Sequence, residues 1–575
     1  KQPSKFFLIS NTSNSKYNLK LASTLGFTAA AEISCDAPVT LKIEDTLNKT
    51  VTAKRIAFEL SNRENVSIRP AVLKFTPNIS KCSLVFWNPK DEKIAGGVNL
   101  INEVTAFPLL KKLNQHKETC DYKSDSNPLP GQNMFFTNQF QNMTCAQNAE
   151  KIETLDAPES GFRAKVETLL GSPVSDEFIT SANPYAKLDF SRAPKFDAIF
   201  VSSLVFRSDF YGNVMVRLLK YHADRGTLVQ ILTTDYMQTD KDHVLLQNLA
   251  RENGNIRLQE YKYYAVNEGL SRTTDKLNEF HRNMHVKVFV TLSSEKPENN
   301  VIVTGGRNIH DGFLFLTVPD HSDFPELVQY GKDKEENFVH WSDFEIKITS
   351  PKAAQTMYSH LLTFWNRETK SQNIDFIDSS NGRLSIDPHS LDTSSPLIRH
   401  IMSVPFNDNM QLEKLFVEMI DKAEHTVKIS SPYLRPTDAI SSAIERAAAR
   451  GVDVTIQTRI DLKGDTLDWL YTQMNKESIN QLQDKVKIYE WTAESILHSK
   501  FMLIDNDFAF IGSVNVSRRS FVHDIESGLL IYSPDFVAHM SEIFEQYTKG
   551  SRLVTEKQEH STFPRILLKI FENEF

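Results

Sequence analysis

His498-Ser499-Lys500-Phe501-Met502-Leu503-Ile504-Asp505 is the stretch on which the reading of this chain turns. Its four apolar residues bounded by Asp505-Asn506-Asp507 read as a strand entering a turn, and Phe508-Ala-Phe-Ile as the strand that leaves it. Alternate residues of a strand point the same way, so His498 and Lys500 face one site together. Downstream stand Gly512-Ser513-Val514-Asn515 and then Asp524-Ile525-Glu526.

The same grammar occurs earlier, around the only other His-x-Lys of the chain. His285-Val286-Lys287 opens an apolar run, followed by Gly305-Gly306-Arg307-Asn308 and, after an inserted segment, Asp343-Phe344-Glu345. This first copy has Leu292 where the second has Asp505. The elements upstream repeat as well. Val427-Lys-Ile-Ser reads as a strand, Thr437 as the cap of a helix ended by Gly451, and Val452-Asp-Val-Thr-Ile as the next strand. Ala198-Ile-Phe-Val-Ser, a helix through Tyr221, Arg225-Gly226 and Leu228-Val-Gln-Ile-Leu give that order again. Ahead of the second unit, Met410, Leu415, Phe416, Met419, Ile420 and Ala423 fall at helical spacing. Such alternation predicts an α/β fold of two parallel sheets covered on both faces, one per half, with the break in the polar segment Asp375 to Ser395.

These motifs resemble the phospholipase D superfamily, whose signature is H-x-K-x4-D followed by G-[SG]-x-N. The likeness covers about 196 to 545. Gly-Gly-Arg-Asn-Ile-His-Asp-Gly-Phe, from Gly305, is similar to a string of bacterial cardiolipin synthases. The resemblance implies two α/β/α sandwich halves related by a pseudo-twofold and one site between them. It also implies a phosphodiesterase or phosphatidyltransferase working through a phosphohistidine, with His285 as nucleophile and His498 as acid.

The chemistry asks for that set of residues independently. One imidazole attacks phosphorus while another, protonated, serves the leaving alkoxide from the opposite side. Lys287, Lys500, Asn308 and Asn515 are expected to bind the non-bridging oxygens, so neither a metal nor another cofactor is called for. Glu526 and Glu345 are the expected acceptors for the far ring nitrogens of the histidines. Asp505 is read as a turn-capping carboxylate, which softens the loss at Leu292. Ser499 and Ser513 are read as structural hydroxyls, and His310, His340 and His523 as packed or solvent-facing residues. A glycan on the Asn515 sequon would fill the site.

The outer segments carry less. The expected division is a β-rich accessory domain over 1–125, a lead-in plus first half over 126–390, and the second half over 391–575. Alternating runs such as Val39-Thr-Leu-Lys-Ile and Ile68 to Phe75 support the first of these. All four cysteines, Cys35, Cys82, Cys120 and Cys145, lie in the first quarter, without the spacing of a zinc site. They read as one or two disulfides, with free buried thiols as the alternative, and the disulfide reading implies a periplasmic or secreted protein. The sequons at Asn11, Asn48, Asn65, Asn78 and Asn142 arise by chance in so polar a segment. A start at Lys-Gln-Pro would fit a mature terminus.

A formal charge of −8 argues against a polyanion as main partner. Phospholipid is the favoured substrate, with DNA or RNA as the alternative, and a scaffold without turnover as the alternative of another class. No run reaches the ~18 apolar residues of a spanning helix. Phe563, Ile566, Leu567, Ile570 and Phe571 form an apolar stripe that fits either a bilayer surface or the core.

Overall fold

The structure is a computed structural model describing residues 142–261, 282–331, 334–365, 394–461 and 466–561, with Met134, Phe135 and Phe140. Of the segments before 120, and of Arg383–Ser385, it describes the backbone of the strands. Two mixed sheets lie at the centre. The seven-stranded sheet runs, in spatial order, Ile256–Tyr261, Leu228–Thr234, Ala198–Ser203, Val288–Leu292, Val301–Gly305, Glu345–Thr349, Lys151–Leu155. The nine-stranded sheet runs Ser551–Leu553, Lys487–Trp491, Asp453–Thr458, Thr426–Ser430, Phe501–Ile504, Phe508–Gly512, Glu526–Tyr532, Leu397–Ser403, Gln147–Asn148. With Ile256–Tyr261 set against Lys487–Trp491, the strands correspond one to one through Lys151–Leu155 and Leu397–Ser403. The first three of each series are parallel and the rest antiparallel.

This corrects the expectation of parallel sheets. The strand after each His-x-Lys folds back through a hairpin, and a hairpin can only pair its strands antiparallel. The strand–helix–strand units are parallel as the pattern predicts, with helices Phe210–Asp224 and Asp438–Ala449 between their strands. Both helices are followed by a glycine at positive φ, Gly226 at 97° and Gly451 at 92°, where a side chain would be strained.

Period-two alternation sorts the strand residues between cores. Val288, Val290 and Ile302 join Phe501, Leu503, Ala509 and Ile511 in one buried cluster with helices Pro351–Trp365 and Pro534–Lys549. Phe289, Val301 and Val303 face a second cluster, and Met502, Ile504, Phe508 and Phe510 a third. Both halves therefore share the middle layer, and burying it holds the two sheets together.

The polar segment before 195, read from sequence as a wrapping lead-in, is part of the fold. Gln147–Asn148 pairs with Leu397–Ser403 of the second sheet, whereas Lys151–Leu155 closes the edge of the first. Met134, Phe135, Phe140 and Met143 are buried in the core of the second half. Asn142 is 1% exposed and donates to the Met402 carbonyl at 2.6 Å, so this sequon is closed to a glycan.

The N-terminal segment forms a six-stranded antiparallel sheet, in which Cys35 stands opposite Cys82 in register. Cys35 and Cys145 are each one half of a disulfide, and no cysteine among the described residues is free. The side chains of Cys82 and Cys120, the other N-terminal sequons, most of Asp375 to Ser395 and the stripe Phe563 to Phe571 lie outside the described residues. Among the described residues no helix is long and apolar enough to cross a membrane.

Candidate active site

His285 precedes the strand Val288–Leu292, and its backbone N–H donates at 2.8 Å to the carbonyl of Ile525 in the other half. His498 does the same toward the Ser342 carbonyl, also at 2.8 Å. Short parallel pairings, Met284 with Ile525 and Ser342 with Leu497, thus stitch each histidine strand to the opposite half.

The side chains follow the same exchange. His285 Nδ1 lies 2.9 Å from Glu526 Oε2, and His498 Nδ1 lies 2.6 Å from Asp343 Oδ2. Each imidazole is thereby held by a carboxylate from the other repeat, leaving its Nε2 as the reactive edge. Glu526 also accepts from Ser513 Oγ and, at 2.5 Å, from Ser520 Oγ.

Glu345 departs from expectation. Both of its oxygens lie 2.6 Å from Lys165 Nζ in a buried pair, beside Arg307 and away from the histidines. The reason is register. Gly305 pairs with Glu345 in the first sheet, whereas its counterpart Gly512 pairs with Gly528 in the second. Asp343, two residues earlier, is therefore the counterpart of Glu526, and equating Asp343-Phe-Glu345 with Asp524-Ile-Glu526 slips the strand by one full pleat. A Cβ on Gly306 would stand 2.2 Å from Asp343 Oδ2, so the glycine makes room for its carboxylate, whereas Ser513 at the equivalent place of the second copy donates to Glu526.

Lys287 and Lys500 are each 2% exposed and donate to the carbonyls of His285 and His498, Lys287 at 2.8 Å. Asn308 accepts from Val205 N–H at 3.4 Å, and Asn515 is fixed through its backbone N–H on Ser520 Oγ at 3.1 Å. Asp505 lies outside the cluster. It turns the second hairpin at φ 51°, and its carboxylate accepts the backbone N–H groups of Glu424, His425 and Thr426. At the corresponding place the first half makes a longer hairpin around Pro297–Asn299.

The group forms one electrostatic unit. Burial pushes Asp343 and Glu526 up to about 7, and brings Lys287 down to about 7 and Lys500 to about 8. Burial, then the neighbouring lysines, hold both histidines well below their usual value, and His285 adds to the effect on His498. Arg459, at the end of the strand Asp453–Thr458, belongs to the same field. Sequence reading passed over Asp343, Lys165, Ser520 and Arg459. Local spacing marks none of them: Asp343 takes its place through a strand register set across a 35-residue interval.

The fold and site invite comparison with known proteins. A family model described as cardiolipin synthase, phospholipase D-like domain, matches residues 416–548. A cardiolipin synthase of Clostridium perfringens is 25% identical over 372 residues, covering 64% of this chain and 68% of its own length. One of Listeria welshimeri is 24% identical over 362 residues, covering 63% and 66%. The crystal structure of the phosphatidylserine synthase of Haemophilus influenzae superposes on 76% of this chain and 96% of its own, with TM-score 0.51 at 16% identity, a likeness of fold.

Proposed function

We propose that this chain is a phosphatidyltransferase of the phospholipase D superfamily, which cleaves a phospholipid diester through a phosphohistidine and passes the phosphatidyl group to an alcohol, a reading supported by its likeness to cardiolipin synthases. The observation that carries this reading is the crossed pair, His285 on Glu526 and His498 on Asp343. Two imidazoles, each tied at Nδ1 and offering Nε2, make a set suited to in-line displacement.

His285 Nε2 attacks phosphorus while His498, charged over Asp343 once the anionic diester offsets the two lysines that depress it, gives its proton to the leaving alkoxide. Lys287, Lys500, Asn308 and Asn515 hold the non-bridging oxygens and take up the charge of the pentacoordinate state. These donors supply the stabilisation for which other phosphoryl-transfer enzymes use a divalent ion, so activity in EDTA is part of the proposal. The relatives named above are synthases, which favours transfer over hydrolysis. The disulfide-bonded Cys35 and Cys145 support an oxidising compartment, periplasmic or extracellular.

The test is incubation with phosphatidylglycerol, phosphatidylcholine and single-stranded DNA, each in EDTA. Release of glycerol or choline with formation of a phosphatidyl-transfer product is expected. His285→Ala and His498→Ala should each lower the rate at least about 10³-fold, roughly 4 kcal/mol of transition-state stabilisation. Cleavage of DNA alone would overturn the lipid reading, and a wild-type rate in His285→Ala would overturn the mechanism.

A further inference from the structure

The two repeats differ where the site has most to gain from a difference. Asn515 and Glu526 are 11 residues apart, but Asn308 and Asp343 are 35 apart, and the excess is an insert in the first half alone. The register that equates Asp343 with Glu526 equates Trp341 with Asp524. Beside His285 there is accordingly a charged group, Asp524, which accepts from Arg519 Nε at 2.9 Å and whose field acts on that histidine.

Beside His498 there is an apolar one. The Trp341 ring lies 5.0 Å from the imidazole at 68°, and Phe313, from the start of the insert, lies 5.2 Å from it at 63°. Phe313 and Trp341 stack on each other at 5.9 Å and 16°. Both ends of the insert therefore close on one catalytic ring.

Its middle is fastened to the first half. Tyr330 donates to Asp209 Oδ2 at 2.8 Å and Glu336 pairs with Arg207 at 3.0 Å, and within the insert His321 Nε2 lies 3.2 Å from Asp311 Oδ2. Buried, bonded polar groups of this kind fix a single conformation. Among the exposed residues of the insert, many of them polar, two are large apolar ones: Leu316 is 67% exposed and Val318 50%. They follow Phe313 by three and five residues, which at about 3.6 Å per residue keeps them within roughly 11 and 18 Å of it.

We propose that the described part of the insert, 310–331 with 334–341, is the acceptor wall of the site, keeping water from the His498 side so that the phosphoenzyme is resolved by a lipid-borne hydroxyl. The proposal rests on the phosphatidyltransferase reading and adds the residues that set its acceptor. In the second step the acceptor oxygen bonds to phosphorus as the P–Nε2 bond of His285 breaks and its electron pair returns to the ring. His498, neutral after serving the leaving group, takes the acceptor's proton. Water is far the more concentrated competitor, so transfer requires a surface poor in hydrogen-bond partners for water. Phe313 and Trp341 are that surface, and Leu316 and Val318 extend it toward the acceptor's acyl chains.

The experiment follows Trp341→Ala and Trp341→Phe with phosphatidylglycerol in mixed micelles, measuring transfer product against phosphatidic acid, with the amplitude of the covalent phosphoenzyme as a separate readout. In Trp341→Ala the ratio, which is set after the phosphoenzyme has formed and is therefore independent of its amplitude, is expected to move at least about 5-fold toward phosphatidic acid; Trp341→Phe keeps the wild-type ratio. Equal loss of both products, or an unchanged ratio, would overturn the proposal. Leu316→Asn with Val318→Asn, at solvent-exposed positions that leave folding intact, should raise KM for a long-chain acceptor and not for glycerol. Unchanged KM for both would equally count against the wall. A wild-type protein that forms no phosphoenzyme would instead defeat the reading on which the proposal stands.

Discussion

Asp343 and Glu345 are two residues apart on neighbouring pleats, and burial gives them opposite tasks. Asp343 bonds His498, whereas Glu345 neutralises Lys165, which is 5% exposed. Their amides should separate function from stability. Asp343→Asn removes the acceptor that supports an imidazolium and is expected to lower kcat at least about 10²-fold with little change in Tm. Glu345→Gln leaves a buried ammonium without its counter-charge and should cost about 3 kcal/mol of stability, read in urea unfolding, while kcat per folded molecule stays near wild type. The reverse pattern would return Glu345 to the site.

At the scale of elements, the hairpins and their glycines fix the carboxylates. Gly306 ends the strand Val301–Gly305 with its open side against Asp343, and a methyl there would meet Oδ2 at 2.2 Å. Gly306→Ala is therefore expected to push the carboxylate off His498 and lower kcat roughly 10- to 100-fold, with unchanged far-UV circular dichroism. Ser513→Gly, at the equivalent place, only removes one of the hydroxyls bonding Glu526 and should cost less. The asymmetry is geometric: a glutamate reaches His285 from beyond a serine, and the shorter aspartate reaches His498 only where no Cβ intervenes.

For the molecule as a whole, the site is a buried set of coupled charges assembled from both halves, and its pH dependence belongs to the set. In the proposed mechanism the carboxylates pushed up to about 7 must be ionised to support the imidazolium, and the lysines brought down to about 7 and 8 must be protonated to hold phosphate. Activity is thus expected as a narrow bell near neutral pH, falling below about 7 as Asp343 and Glu526 protonate and falling on the alkaline side as first Lys287, from about 7, and then Lys500, from about 8, lose their protons.

Stability carries the matching sign. A carboxyl raised in the folded state binds more protons there than in the unfolded chain. Its contribution is complete below the unfolded value of 4.5 and is lost as pH rises through about 7. Glu526→Gln should consequently raise Tm by a few degrees at pH ~8.5 and lose that advantage at pH ~4, as activity falls. A Tm gain that persists at low pH would show that packing, and not charge, is responsible.

Much of this molecule was written in its local sequence. His-x-Lys at strand spacing, the Gly-x-x-Asn turns and the repeated strand–helix–strand order depend on period and turn chemistry, which act over a few residues, so the two-half α/β fold and the pairs His285–Lys287 and His498–Lys500 could be read directly. Tertiary structure alone decided which carboxylate serves which histidine. That choice rests on pairing register across a 35-residue interval and on an exchange between halves, and neither leaves a trace in local spacing. The same holds for the edge strand at Lys151–Leu155, the burial of Lys165 against Glu345 and the aromatic wall on His498, because each partner gains its meaning only once a distant segment has been packed against it.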